Sequence, residues 1–364
     1  MKTVRHIAFP MTALAWSVVT AVQAAEPQPS VEERLTRLEQ QATTQPVVLP
    51  ANLELAGTVE VEGTVGEGYD GRSYSDLVVA TVEFGVVAHL NEKVSAEVVF
   101  LYEQDETDLG VDVAVLTIDQ LIAPVDFAVG KMYVPFGQLQ TALINDTLVL
   151  ELAETNKTAA LFGLDESGIK AAVYVFDGDQ DREKHVENYG LTVGFVQDSF
   201  SVGVDYLSSI TESDGLEDAT AAYSDFLAID PPFEAWEESA PAYAVHGTLN
   251  LGMVALIAEY LEVVDPLQPE AIDVEFEPSA AQGEVDLTAE LFGHEYVFAV
   301  AYQKTDDAAA LELPEERISL GCSTKVYDNV TLGGEFWHDA DYDAADGGSD
   351  EESDNFVLQL AASF

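Results

Sequence analysis

Acidic side chains recur at every second position in several segments of this sequence, and these carboxylates are its first candidates for chemistry. The candidates, which alternate with apolar neighbours, are Glu54, Glu60, Glu62, Glu97, Glu284, Asp286 and Glu290. Successive side chains of a strand point to opposite faces, so these carboxylates belong to faces that meet water. Carboxylates around a water-filled passage favour cations and disfavour anions. The alternative is that they are simply the solvated residues of an acidic protein.

A second group of candidates lies in one irregular segment, residues 130–155, with the sequence GKMYVPFGQLQTALINDTLVLELAET. The segment begins with the period of a strand, breaks at Pro135-Phe136-Gly137 and continues with neither strand nor helix period. Its polar residues that could contact a solute are Gln138, Asn145, Asp146, Glu151 and Glu154. Its apolar residues, Phe136 among them, are better suited to anchoring the segment to a wall.

Metal and nucleophile chemistry has little support in this sequence. Cys322 is the only cysteine, which excludes an internal disulfide and a Cys/His metal pattern. Asp177, Asp179 and Asp181 have the spacing of half a calcium loop, but no Gly or bidentate Glu follows at the required distance. The histidines are scattered, and no Gly-x-Ser-x-Gly motif accompanies them. We therefore predict no catalytic residues, no metal site and no cofactor.

The charge balance excludes one class of partner. The chain has 67 acidic residues against 14 Lys and Arg, a formal net charge of −53 at pH 7. Nucleic-acid binding requires a basic surface that this chain cannot provide, so we exclude it. Such acidity gives a strongly hydrated surface, and adaptation to a salty habitat explains it better than an acidic active site does.

The N-terminal region predicts export followed by a short helix. Residues 1–24 combine two basic residues, an apolar run and a small-residue cleavage site, which are the features of a secretory signal peptide. Residues 25–50 contain a capping-box spacing at Ser30 and Glu33, then a coiled-coil seam and a linker. Two heptads are too few to be stable alone. We predict either a homotrimeric bundle or a solitary helix.

From residue 51 to residue 364 the hydrophobic pattern has a period of two. The alternating segments are about 10 residues long, the length that a tilted strand needs to cross a bilayer. Tight connections are predicted at 91–93, 123–124, 165–167, 197–199, 252, 293–294 and 328–329. Long connections are predicted near 66–74, 105–109, 135–155, 178–185, 211–240, 266–280, 305–314 and 341–353. The two kinds alternate, which predicts 16 antiparallel strands with all long loops at one rim.

The final strand separates a transmembrane barrel from a soluble β-sandwich. Phe356, Leu358, Leu360, Ala362 and Phe364 form one apolar face and end the chain on an aromatic residue. This ending is similar to the C-terminal signal of outer-membrane proteins. We therefore predict an all-β fold, a 16-stranded antiparallel transmembrane β-barrel over residues 51–364. Aromatic residues near strand ends, Tyr102, Tyr260, Tyr302 and Trp337, would form its interfacial girdles.

The irregular segment is the third long loop of this barrel. In 16-stranded porins, which the pattern resembles, the third external loop folds inward and narrows the lumen. A barrel of this size leaves an aqueous channel, so selectivity requires a segment inside it. The residues predicted to form the constriction are Pro135, Phe136, Gly137, Gln138, Asn145, Asp146, Glu151 and Glu154.

The same segment resembles the LbtU-type siderophore porins of Gram-negative bacteria. The resemblance rests on Gly130-Lys131, Pro135-Phe136-Gly137, Asn145-Asp146 and 151–155, together with the short coiled coil and the terminal phenylalanine. It implies an outer-membrane porin with a periplasmic N-terminus that passes small solutes, with ferric siderophore complexes as the favoured cargo. A general cation-preferring porin and a secreted structural or adhesive β-protein are the alternatives.

Overall fold

A computed structural model describes residues 50, 52–178, 186–217, 219, 236, 239–268 and 275–364. The predicted signal peptide and N-terminal coiled-coil helix lie outside these residues, as do Asp179 and Asp181 of the calcium-like spacing. Within the described ranges, no helix has the length and apolar character needed to cross a bilayer.

The described residues form a closed barrel of sixteen antiparallel strands, in which each strand pairs with its neighbours in the chain and the first pairs with the last. The strands are β1 Leu53–Glu67, β2 Ser73–His89, β3 Val94–Glu103, β4 Thr107–Ile122, β5 Val125–Tyr133, β6 Asn156–Glu166, β7 Ile169–Phe176, β8 Asn188–Gln197, β9 Phe200–Leu207, β10 Ala242–Leu251, β11 Val254–Val263, β12 Ser279–Leu291, β13 His294–Asp306, β14 Glu316–Tyr327, β15 Val330–Ala340 and β16 Glu352–Ser363. One short α-helix, α1, spans Leu148–Ala153 between β5 and β6. The prediction of a 16-stranded barrel is confirmed.

Strand alternation places polar residues inside the barrel and apolar residues outside it. In β1, Glu60 and Glu62 are buried, whereas Val59 and Val61 between them are each 37% exposed. In β16, Phe356 is likewise exposed on the outer surface. This apolar-out, polar-in arrangement is that of a barrel surrounded by lipid. The alternative of a two-layer sandwich with a dry apolar interior is therefore wrong.

Tight turns and longer connections alternate between the two rims as the pattern predicts, with one difference. The connection expected near residues 105–109 is only three residues long, because β4 begins at Thr107. Asp105 adopts a left-handed backbone conformation with φ of 64°, which closes the turn. The acidic residues there belong to a tight hairpin and the start of a strand.

The predicted girdle aromatics divide between the two faces of the wall. Tyr260 and Tyr302 are exposed on the outer surface, where amphipathic rings suit a membrane interface. Trp337, in contrast, is only 9% exposed and shares the inward phase of Glu335 and Asp339. The assignment of Trp337 to a girdle is wrong because its position in β15 has the phase that faces the lumen.

Candidate functional site

The connection between β5 and β6 folds into the barrel, and we call residues 134–155 the inner loop. Its helix α1 packs against β11, β12 and β13. Phe136, Leu148 and Leu152 are each at most 1% exposed and join an apolar cluster with Leu207 and Leu261 of the wall. Burying a side chain of this size contributes about 1.5–3 kcal/mol. The inner loop is therefore fastened to one side of the lumen by a small apolar core.

Hydrogen bonds from backbone N–H groups of the inner loop to wall side chains are the most distinctive feature of the site. Glu259 of β11 accepts from Gln138 N at 2.6 Å and from Leu139 N at 3.0 Å, one bond to each carboxylate oxygen. Four other wall residues accept from the loop backbone. Asp205 accepts from Gly137 N (2.9 Å), Glu284 from Ala142 N (2.7 Å) and Gln303 from Leu148 N (2.7 Å). Glu335 accepts from both Ile144 N (2.5 Å) and Asn145 N (2.8 Å). Hydrogen bonds to an ionised acceptor are the strong ones. An irregular backbone inside a membrane protein needs its polar groups satisfied in this way.

The Pro135-Phe136-Gly137 break turns the chain from the strand into the lumen. Phe136 N donates to Val134 O at 2.8 Å, closing a tight turn. Gly137 has φ of +80°, in the left-handed region that glycine adopts most readily. A Cβ at this position would lie 3.0 Å from Glu259 Oε1. The glycine thus allows the turn and the close approach to the wall.

A gap in the wall receives the middle of the inner loop. Gly321 of β14 has no side chain, and a Cβ built there would lie 2.8 Å from Leu143 Cδ2. The neighbouring inward residue on β13 is Ala299. Small residues at facing positions let the loop backbone lie close enough to donate to the wall carboxylates.

The short helix α1 forms where the loop sequence becomes mostly apolar, with Glu151 as its one charged residue. Thr147 is its N-cap, with its hydroxyl accepting from Leu150 N at 3.2 Å. Glu154 ends it, and burial raises the pKa of the Glu154 carboxyl to about 9, with the nearby carboxylates of Asp214 and Asp112 adding to the effect. A carboxyl this buried near other acids favours its protonated form at neutral pH.

Two cavities remain on the side of the lumen that the inner loop leaves open. The rim cavity, about 350 Å³, has an acidic and aromatic lining that includes Glu62, Asp76, Glu103, Glu106, Asp146, Glu151, Arg317 and Trp337. The central cavity, about 720 Å³, has a lining that includes Glu60, Glu83, Glu97, Asp112, Gln138, Gln140, Asp146, Glu154 and Gln359. Asp146 lines both cavities. Carboxylates thus border the open space from the wall and from the inner loop.

The residues singled out in the sequence occupy four regions. At the root and back of the inner loop, against the wall, lie Pro135, Phe136, Gly137 and Glu284. Along the open space lie Gln138, Asn145, Asp146, Glu151, Glu154, Glu60, Glu62 and Glu97. Asp286 is buried on β12, while Glu54 and Glu290 are exposed near the tight-turn rim. Glu284 does not border the open space, because it accepts from Thr141 and Ala142 of the loop.

Sequence reasoning missed two residues that define the site. Gln359 of β16 donates to Glu60 at 3.2 Å and to Glu62 at 2.8 Å, which joins the two wall carboxylates. Arg317 of β14 makes a two-point contact with Asp339, Nε to Oδ1 at 2.7 Å and Nη2 to Oδ2 at 2.9 Å. The alternation indicates that both residues face inward. It does not identify their partners, because these lie on other strands. Among the described residues, no group of three potential ligands is arranged to hold a metal ion.

Comparison with known sequences finds distant relatives in other bacteria. No protein-family model matches the chain. A UPF0422 protein of Legionella pneumophila, strain Philadelphia 1, is 25% identical over 315 residues, which cover 80% of this chain. The chain spans 59% of the length of that relative.

Comparison with solved structures gives the fold. The outer membrane channel DcaP of Acinetobacter baumannii has a TM-score of 0.58 at 13% identity and covers 86% of this chain and 97% of its own. The trimer form of OmpT, an outer membrane protein of Vibrio cholerae, has a TM-score of 0.55 at 13% identity over 86% and 99% of the two chains. The chain therefore shares the barrel fold of these outer-membrane proteins.

Proposed function

We propose that this protein is a passive diffusion channel of the Gram-negative outer membrane that prefers cations, with the inner loop as its constriction. One observation carries the proposal: both cavities beside the inner loop are bordered by carboxylates from two sides. A low-dielectric wall concentrates the field of such charges within the passage. Cations are then enriched in the lumen and anions are depleted.

The single basic side chain in the lining does not offset this field. Among the described residues that line the two cavities, Arg317 is the only Lys or Arg. Its guanidinium is already paired with Asp339. Anion-selective pores need rings of Lys or Arg, so an anion or phosphate channel has no support in this lining.

Ferric siderophore complexes are the cargo that we favour from the resemblance of residues 130–155. The acidic lining limits this class, because a complex with net negative charge would meet repulsion from both sides of the passage. We therefore expect any siderophore cargo to be neutral or cationic as the ferric complex. A general cation-preferring channel without a dedicated cargo is the alternative, and its support is the same lining.

Membrane placement and assembly complete the proposal. The apolar outer face would contact outer-membrane lipid, with the N-terminus in the periplasm and the long loops outside. A homotrimer is our proposal for the assembly, supported by the coiled-coil seam in residues 25–50 and by the trimer form of the OmpT structure.

Reversal potentials in planar bilayers test the function. Purified protein with a KCl gradient across the membrane should give a reversal potential near that of a potassium-selective membrane. A reversal potential of zero or of the opposite sign would contradict cation preference, and the absence of channels would contradict conduction. Adding ferric siderophores of different net charge separates the cargo hypotheses, because only a dedicated channel shows current block that depends on the complex.

A further inference from the structure

His246 of β10 lies at the point where the inner loop leaves the wall. Its Nε2 is 3.0 Å from Asp205 Oδ2 on β9, and its Nδ1 is 2.9 Å from Gln138 Oε1 on the inner loop. The same Asp205 oxygen accepts from Gly137 N at 2.9 Å. The pair of His246 and Asp205 therefore joins two strands of the wall to two adjacent residues of the loop.

The wall contains a space shaped for this ring. Gly203 of β9 is paired directly with His246. A Cβ at Gly203 would lie 2.2 Å from the ring Cε1 and 2.4 Å from Nε2. Any other residue at position 203 would occupy the volume of the imidazole, so the ring is held flat against β9 where both its nitrogens meet their partners.

The two partners determine how many protons the ring carries. The carboxylate of Asp205 can only accept a hydrogen bond. The amide nitrogen of Gln138 donates to Gln140 Oε1 at 2.9 Å, which directs the Gln138 oxygen, also an acceptor, at the ring. A neutral imidazole has one N–H donor, whereas the imidazolium cation has two. Only the cation satisfies both acceptors.

The charged groups around the ring favour the same form. On β9 the carboxylate of Asp205 contacts it, and on β11 Glu259 binds the neighbouring loop amides. On β7, Tyr174 donates to Pro135 O at 3.3 Å at the same loop root. A cation between two buried carboxylates reduces their mutual repulsion.

We propose that His246 is a positioning residue that fastens the root of the inner loop as an imidazolium cation, and that loss of its proton loosens the constriction. Deprotonation removes one of the two hydrogen bonds and leaves Asp205 and Glu259 without the cation between them. The loop root then loses part of its attachment, while the anchors of residues 141–148 remain. The conductance consequence rests on the proposed channel function, whereas the charge state of the ring does not.

The direct test is ¹⁵N NMR of the histidine rings in the folded, detergent-solubilised full chain, with the His246 signals assigned by their loss in His246→Gln. The proposal expects both ring nitrogens of His246 to carry protons at pH 7 and their signals to change together in one titration step. A ring with one N–H at pH 7 would overturn it. If His246→Gln does not fold, Gln138→Ala supplies the assignment, because it shifts only the ring that loses its loop acceptor.

Single-channel recording between pH 6 and 10 gives the second readout. Open-channel current in the parent should show a step at the pH where NMR finds the ring to titrate, and His246→Gln should lack that step while keeping any step that Glu154 causes. His338→Gln is the matched control. His338 Nδ1 also lies 2.8 Å from a carboxylate oxygen, that of Asp354, but His338 has the outward phase of β15. Its pH profile should match that of the parent. If His246 is charged but the current shows no such step, the proposed loosening of the loop is wrong, while the proposed channel function stands. Absence of channels would refute the proposed function and leave the NMR result to decide the charge state.

Discussion

Glu259→Gln is the substitution that most sharply tests how the wall holds the inner loop. Glu259 is 3% exposed, and each of its oxygens accepts one backbone N–H, from Gln138 and from Leu139. Glutamine is nearly isosteric but has only one acceptor oxygen. Its NH₂ group must therefore face one of the two N–H donors. The variant loses a charge-assisted hydrogen bond and leaves a buried donor unsatisfied, a combined cost of about 2–4 kcal/mol.

This cost predicts a measurable opening of the loop root. Since about 1.4 kcal/mol corresponds to a factor of ten in an equilibrium constant, the open population should rise roughly 30- to 1000-fold. Hydrogen exchange detected by mass spectrometry, on peptides that contain Gln138 and Leu139, measures this population directly. Exchange at these two amides should accelerate by that factor.

Glu284→Gln is the matched control. Glu284 accepts from Ala142 N at 2.7 Å and from the Thr141 hydroxyl at 2.6 Å. A hydroxyl can reverse its direction and accept from the new amide, so both contacts survive as neutral hydrogen bonds. Exchange in this variant should stay close to that of the parent. Unchanged exchange in Glu259→Gln, or equal acceleration in both variants, would refute the reasoning.

Three further substitutions test the contact between the inner loop and the wall, the lining of the cavities and the buried carboxyl of Glu154. Gly321→Ala should displace the inner loop and change single-channel conductance, because the added Cβ would lie 2.8 Å from Leu143 Cδ2 of the loop. Gly283→Ala is its control: a Cβ there would have no atom within 4 Å, so conductance should stay unchanged. Arg317→Met should raise cation selectivity in reversal-potential measurements and lower stability by about 3–5 kcal/mol, since it leaves buried Asp339 without its cation. Because the folded pKa of Glu154, about 9, lies above its unfolded value, the parent binds more protons when folded and loses stability as pH rises from about 4.5 to 9. The melting temperature of Glu154→Gln should therefore rise relative to that of the parent as pH increases across that interval. A difference in melting temperature that does not change with pH would contradict the raised pKa of Glu154.

The barrel itself was predictable because its pattern is local. Period-two alternation depends only on residues within one strand, and tight turns carry short signals such as Gly252 and Asn329. Trp337 was misplaced because an aromatic residue near a strand end suits both a girdle and a lumen, and only the phase of β15 decides between them. The three-residue turn around Asp105 was missed because acidic residues mark long loops and tight turns alike.

The contacts between the inner loop and the barrel wall could not be predicted from sequence. Alternation indicates that Asp205, Glu259 and Glu335 face inward, but it does not indicate which inward residues meet a loop that begins after Tyr133. These contacts join residues more than 60 positions apart. Glu284 illustrates this limit. Its position in β12 has the phase that faces the lumen, but its carboxylate oxygens accept hydrogen bonds from Thr141 and Ala142 of the inner loop.

The most direct test of the central claim is the permeability ratio of Asp146→Lys. Asp146 lines both cavities, so reversing its charge alters the field along the whole narrow passage. The K⁺/Cl⁻ permeability ratio, measured from reversal potentials in a salt gradient, should shift strongly toward Cl⁻. Asp346→Lys, the same change at an exposed position between β15 and β16, should leave the ratio near that of the parent. An unchanged ratio in Asp146→Lys would contradict the claim that ions pass through the acidic space beside the inner loop.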